Sequence, residues 1–194
     1  MLFLALLFGV GCREVGPQSQ GTAWQNTGID SSSITDTGEK EVSSSTLDPT
    51  TLPEGDNPCR GPVEFFVDVV FDGDTVWGRV DGADRSIRLI GYDAPETYMD
   101  ECWSSEATDA LEFFSEDKWV WLTFDEECED DYGRLLAYIH TQDEVSLFVN
   151  EQMLLLGEGW QMTISPNDTF MDRFRKAESY AIAKGLGLWG ECYE

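Results

Sequence analysis

Between residues 63 and 190 the order of apolar and polar positions predicts a chain of short strands followed by helices. Residues 63–71 are β-branched and aromatic with loose alternation, and they break at Asp72-Gly73. Residues 75–80 form a second strand that turns at Asp81-Gly82, the residue pair that suits a tight hairpin. In a third strand, 86–91, Ile87 and Leu89 face one side while Arg88 and Ile90 face the other. A loop over 93–104 leads to a helix whose apolar face is Ala107, Ala110, Leu111 and Phe114. Residues 119–124 and 135–141 are the fourth and fifth strands. A helix over 149–156 stops at Gly157. A last helix opens at Thr169, with Asp172 three residues on as a capping box, carries Phe170, Phe174, Ala177 and Ala181 on one face, and ends at Gly185. Five short strands with a helix after the third and more helix at the end point to an α+β fold, a five-stranded OB-fold barrel plus about three α-helices.

The first 57 residues read differently. Residues 2–10 are a nine-residue apolar run ending at Gly11-Cys12, too short to span a bilayer and of the length of a signal-peptide core. Gly9-Val10-Gly11-Cys12 resembles a lipobox, so the expectation is a signal peptide over 1–12 with Cys12 lipidated; an ordinary secretory leader is the alternative. Residues 13–57 are rich in Ser, Thr, Gly and Asp and read as a disordered linker, too polar to bury the surface that would offset chain entropy. The domain is then 58–194, exported and held at the cell envelope by a lipid anchor or secreted, and expected to be a monomer.

Charge changes the picture next. The chain has 12 basic and 38 acidic residues, a net −26. Only two basic and eight acidic residues fall in 13–57, so the acidity belongs to the domain. A protein that holds nucleic acid over a wide basic surface is excluded, because that affinity comes from counterion release onto Lys and Arg. Four cysteines follow Cys12: Cys59, Cys102, Cys128 and Cys192. In an exported chain an even count reads as two disulfides, and the sequence leaves three pairings open. The expected pairing is Cys59–Cys192, stapling the domain's ends, with Cys102–Cys128 tying two loops together.

Three clusters carry chemistry: Asp72-Gly73-Asp74-Thr75, then 88–97 reading RLIGYDAPET, then Asp131-Tyr132-Gly133-Arg134. Singly, each has a plain structural reading as a turn, a surface strand or a capped loop. Together with Val149-Asn150, Pro166-Asn167 and Gly187-Leu188-Trp189, in this order across 63–190, they resemble the staphylococcal nuclease (thermonuclease) family. The resemblance implies an OB-type barrel with three helices, which agrees with the strand pattern.

It also implies roles. Asp74 and Asp93 match the family's carboxylate ligands to Ca²⁺, with the main-chain carbonyl of Ala94 as a further oxygen; hard oxygen donors suit that ion. Glu96 matches the general base. Arg88 and Arg134 match the two guanidinium groups that grip the phosphate, a task suited to a planar fork of donors. Tyr132 is kept as a substrate-binding residue. The implied activity is a Ca²⁺-dependent phosphodiesterase acting on DNA and/or RNA, leaving 3′-phosphate and 5′-hydroxyl ends. The alternative is a non-catalytic OB-fold module that binds nucleic acid or protein at the cell envelope.

Several positions depart from the pattern. Asp131 stands where the best-known member has Lys, and the family's two tyrosines before Pro-Asn fall on Met162 and Ile164. The acidic run 125–131 reads as a solvated loop, with cation recruitment as the sharper alternative. His140 and the tryptophans Trp119, Trp121 and Trp160 are read as structural.

Overall fold

The computed structural model describes residues 47–193 apart from residue 144. The signal-peptide reading, Cys12 and most of the linker reading lie outside the described residues. Strands β1 (Val63–Asp72), β2 (Thr75–Val80) and β3 (Ala83–Leu89) form a meander, and β5 (Trp119–Thr123) and β6 (Leu135–Thr141) complete a closed barrel in the order β1-β2-β3-β6-β5. All neighbours are antiparallel except β3 and β6, which run parallel. Closure leaves the barrel itself without an open edge. Two strands of three residues each, β4 (Gly91–Asp93) and β7 (Trp160–Met162), pair outside the barrel. The sequence pattern missed both, because three residues show no alternation.

The barrel interior is filled by the inward residues of each strand. Phe65, Val67, Ile87, Val120, Leu122, Ala137 and Ile139 are fully buried, each of the larger ones contributing about 2 kcal/mol of transfer free energy. Helix α1 (Ser104–Ser115) lays Ala107 and Leu111 on the core, with Ala110 and Phe114 partly covered, as its spacing predicts. Helix α2 (Val149–Leu156) is pinned by Asn150, which is fully buried. Its Oδ1 accepts from Ile139 N at 2.9 Å and its Nδ2 donates to Ile90 O at 2.9 Å. That bond explains the Asn as a landmark: it locks the helix to the point where the chain leaves β3 for β4.

Helix α3 (Met171–Lys184) buries Phe174, Ala177 and Ala181, and α4 (Leu188–Glu191) follows. The capping box expected at Thr169 does not form. The helix is capped at Phe170 without a side-chain bond, and Thr169 Oγ1 donates instead to Asp125 Oδ1 at 2.9 Å. Asp125 is itself fully buried, accepting from Tyr138 Oη at 2.7 Å as well, so the acidic run does not begin as a solvated loop. Residues 49–57, assigned to the linker from composition, lie against the barrel: Leu52 is buried and Gly55 N donates to Phe124 O at 2.8 Å.

The disulfide pairing differs from the expectation. Cys59 bonds Cys128 and Cys102 bonds Cys192, with Cα separations of 5.8 and 6.1 Å. The reason is where the two ends run. The N-terminal segment lies along the start of the acidic loop, Cys59 N donating to Asp125 O at 2.7 Å, while α4 packs beside the loop that follows β4. Each end is therefore stapled to a loop rather than to the other end. Among the described residues no helix is long and apolar enough to cross a membrane.

Candidate active site

Register sets the site. In the β2–β3 hairpin Thr75 stands opposite Arg88, and Leu89 N donates to Asp74 O at 2.9 Å, so Asp74 and Arg88 are neighbours. The chain then bends through Gly91 into β4, whose last residue is Asp93. Gly73 lets the two segments touch. A Cβ there would fall 2.5 Å from Ala94 Cβ and 2.8 Å from Ala107 Cβ, so only glycine permits the approach. Ala94 N consequently donates to Asp74 Oδ2 at 3.0 Å, and Thr75 Oγ1 donates to Asp74 Oδ1 at 2.9 Å.

The guanidinium of Arg88 bridges the two carboxylates, with Nη1 on Asp74 and Nη2 on Asp93. Its side chain is only 11% exposed. Burial pushes its pKa down, Asp93 and Asp72 pull it up, and Arg134 pushes it down further, so Arg134 acts on the same space. Asp72 accepts from Asp74 N at 3.1 Å; burial raises its carboxyl pKa, and the charges of Arg88 and Arg134 oppose the shift. Glu96, on the loop after β4, is half-buried. Its pKa is raised by burial first and by Asp72 and Asp93 next, with Arg88 opposing.

Arg134 is oriented by a turn. Asp130 Oδ1 accepts from Tyr132 N and Arg134 N at 3.0 and 2.9 Å, and Oδ2 accepts from Arg134 Nε at 2.7 Å, with Gly133 at φ +77° completing the bend. Burial pushes the Asp130 carboxyl up, but the bonds from Arg134 outweigh it and the net direction is down. Among the described residues the two terminal nitrogens of Arg134 carry no hydrogen bond, which leaves their four N–H donors for a ligand. The guanidinium lies 5.6 Å from the ring centre of Tyr132, which is 86% exposed.

Arg88 and Arg134 line one cleft of about 370 Å³. Tyr132, Met162 and Ile164 supply apolar surface on its walls, and Glu127, Asp130 and Asp131 supply negative charge. A phosphate would meet two guanidinium groups there, with a stripe of apolar side chains beside it.

The model of the family described as Staphylococcal nuclease homologue matches residues 86–191. The chain belongs to the staphylococcal nuclease family. It is 32% identical over 129 residues to the thermonuclease of Staphylococcus intermedius, a match covering 64% of this chain and 75% of that protein. It is 30% identical over 124 residues to the thermonuclease of Staphylococcus hyicus, covering 62% and 72%. It is 30% identical over 138 residues to endonuclease YncB of Bacillus subtilis, covering 66% and 63%.

In this member of the staphylococcal nuclease family the sequence-predicted residues fall into two groups. Asp74, Arg88, Asp93 and Ala94 are in direct contact or one bond apart, and of these Arg88 lines the cleft together with Arg134 and Tyr132. Glu96 stands beside Asp93 without a hydrogen bond from either arginine among the described residues. Sequence reasoning missed Asp72 and Asp130 as parts of the site. The signal for Asp130 was present: an Asp four residues before an Arg, across a Gly turn, is placed to bond both the backbone and the side chain of that Arg. His140 lies away from the cleft, buried and stacked on Phe148 at 4.7 Å. Trp119, Trp121 and Trp160 are partly buried.

Proposed function

We propose that this chain is a metal-dependent nuclease, a hydrolase of phosphodiester bonds in DNA and/or RNA, with Ca²⁺ as its ion and 3′-phosphate and 5′-hydroxyl ends as its products. One observation carries the reading: two carboxylates, Asp74 from the β1–β2 turn and Asp93 from the end of β4, converge on Arg88, on the wall of a cleft whose other cation is Arg134. Family membership supports nuclease chemistry, and the residues give it a mechanism.

The donor set suits a hard divalent cation. Among the described residues no three His, Cys, Asp or Glu side chains form a ready-made cage. Asp74 and Asp93 nonetheless bring two carboxylates together, with Asp72 adding a third negative charge nearby and only Arg88 in direct contact to offset them. Asp74, Asp93 and the carbonyl of Ala94 would hold Ca²⁺, an all-oxygen set that leaves room for water and substrate. When bound, the ion supplies Lewis-acid polarisation of the phosphate.

The chain's own groups supply the rest. Arg88 and Arg134 orient the phosphate and stabilise charge that grows on its oxygens as the nucleophile attacks. Glu96 takes the proton of the attacking water; its raised pKa makes it a better proton acceptor than an ordinary surface carboxylate. Tyr132 and the apolar wall give a base or sugar a surface to lie on. All five charged side chains come from one chain, so a monomer suffices. Two disulfides fit an oxidising compartment, which supports export, with Cys12 as the lipid anchor.

The test is cleavage of single-stranded DNA and of RNA by the full chain, with Ca²⁺ or with chelator, beside Glu96→Gln and Arg88→Ala. The expected result is cleavage that needs the ion and falls at least about 100-fold in either variant. Cleavage indifferent to chelation and to both substitutions would overturn the reading. Binding without cleavage would mark the chain as a nucleic-acid binding module.

A further inference from the structure

Glu96 opens a short surface loop in which Thr97, Tyr98, Met99 and Asp100 are all exposed. None of these four side chains is anchored in the core, so the shape of the backbone depends on bonds made within the loop and at its end. Glu96 N donates to Glu101 Oε2 at 2.9 Å. In the opposite direction Met99 N and Glu101 N both donate to Glu96 O at 3.3 Å. Asp100, at φ 53°, turns the chain back so that the side chain of Glu101 reaches across the loop.

The far end of the loop is anchored twice. Cys102 is bonded to Cys192, and the indole of Trp103 donates to Glu158 Oε2 at 2.7 Å. The helix behind Cys192 is itself docked, with Leu188 buried and its N–H donating to Gly157 O at 2.9 Å. On the near side, Asp93 is paired to Trp160 in the β4–β7 ladder. The backbone of Glu96 is thus reached from a strand on one side and from Glu101 on the other.

We propose that Glu101 is a positioning residue for Glu96, its carboxylate fixing the Glu96 main chain while the Cys102–Cys192 bond fixes the segment that carries Glu101. The inference rests on the reading of Glu96 as the general base. A base must meet its water within a few tenths of an ångström, and small misplacements of a reacting group are costly. Glu101 bonds the backbone of Glu96 and touches no substrate.

The experiment measures kcat and KM of the full chain on single-stranded DNA with Ca²⁺ for Glu101→Ala, Glu101→Gln and Cys102→Ser/Cys192→Ser. Each is made in the native background and in Glu96→Gln. Glu101 is exposed, so both of its variants fold; thermal midpoints check this. Glu101→Ala lowers kcat about tenfold with KM within about twofold, while Glu101→Gln stays near the native rate because its amide oxygen accepts the same bond. The cysteine pair gives a smaller loss of the same kind, about threefold. In the Glu96→Gln background Glu101→Ala adds less than about twofold, since no base is left to position. Amide exchange at Glu96 gives a readout independent of activity, faster by at least about tenfold in Glu101→Ala and unchanged in Glu101→Gln.

Native kcat in Glu101→Ala, equal losses in the Ala and Gln variants, or an undiminished loss in the Glu96→Gln background would each overturn the proposal. Failure of the functional reading has a different signature: a native chain that does not cleave, or Glu96→Gln cleaving at the native rate, whatever the amide of Glu96 does.

Discussion

His140 makes the stability of this domain depend on pH between its folded value of about 4 and its ordinary value of 6.5. Thr123 Oγ1 donates to Pro53 O at 2.6 Å and lies 2.9 Å from His140 Nε2. One hydroxyl proton cannot serve both, so the imidazole donates from Nε2 and keeps Nδ1 bare. The ring is 1% exposed, and Arg173 lies 5.0 Å from the centre of the Phe148 ring on which it stacks. Burial pushes its pKa from 6.5 down to about 4; the Pro53 carbonyl opposes the shift and Arg173 adds to it. The folded pKa is below the unfolded one, so the unfolded chain binds more protons between those values. Stability is therefore full above about pH 6.5 and is lost as pH falls towards 4. With these two values the loss at pH 4.5 relative to pH 7.5 is about 2.5 kcal/mol. Glu, Asp and chain-wide repulsion also titrate, so the quantity to measure is a difference. Urea unfolding of the native domain and of His140→Gln, which keeps a donor near the Nε2 position, is followed from pH 7.5 to 4.5. The native advantage over the variant shrinks by about 2.5 kcal/mol across that range. Parallel curves would refute a buried neutral imidazole.

Four further outcomes follow from the same contacts. Gly73→Ala forces the turn away from Ala94 and costs about 1–3 kcal/mol by thermal denaturation, with cleavage lost more steeply than stability; a silent substitution would show that the two segments are not pressed together. Non-reducing peptide mapping recovers Cys59 linked to Cys128 and Cys102 linked to Cys192, and replacing either pair by Ser costs up to about 4.5 kcal/mol, as expected for closed loops of 69 and 90 residues. Asp130→Asn keeps an acceptor for the backbone of Arg134 but weakens the charged bond to Nε, lowering kcat/KM about tenfold; an unchanged value would show that Arg134 needs no such support. Asp131→Lys, on the cleft wall, lowers KM for long single-stranded DNA at least about threefold and steepens its salt dependence, whereas an unchanged KM would mean the acidic wall does not face substrate.

The barrel and the core of the site were legible because both are written in short-range pattern. Alternation and Gly turns mark β1, β2, β3, β5 and β6, and 3.6-residue spacing marks α1 and α3. Asp74 and Arg88 come together through the pairing of β2 with β3, and Asp93 reaches Arg88 across the bend five residues on, so local motifs were enough to find them. What stayed hidden depends on long-range neighbours. Thr169 has the composition of a helix cap, yet its hydroxyl is taken by Asp125, 44 residues away. Asp125 looks like the first of a run of solvated acids, yet three bonds from Tyr138 and Thr169 make it a fully buried anchor. The cysteine pairing has the same origin. Which loop each chain end lies beside is a property of the packed domain, and four isolated cysteines carry no sign of it.

That pairing bears on how so acidic a domain stays folded. Residues 58–194 carry ten basic and thirty acidic side chains, and such self-repulsion weakens the compact state. The repulsion is greatest where acids crowd, and the run from Asp125 to Asp131 is the densest such segment. It is held at three places: by Asp125 in the core, by Asn167, which exchanges bonds of 2.8 and 2.9 Å with the backbone of Glu127, and by the bond from Cys128 to Cys59. The second disulfide fastens the loop that carries Glu96 and Glu101, two carboxylates that would otherwise drive each other apart. Each cross-link therefore falls beside acidic residues, Cys128 within the acidic run and Cys102 next to Glu101. Arg134 and Glu96 are each within six residues of a cross-linked cysteine, so the constraint that resists repulsion also sets the walls of the site. On this reasoning the acidity of the domain and the rigidity of its cleft are coupled, and loss of either disulfide lowers stability steeply and catalysis more mildly.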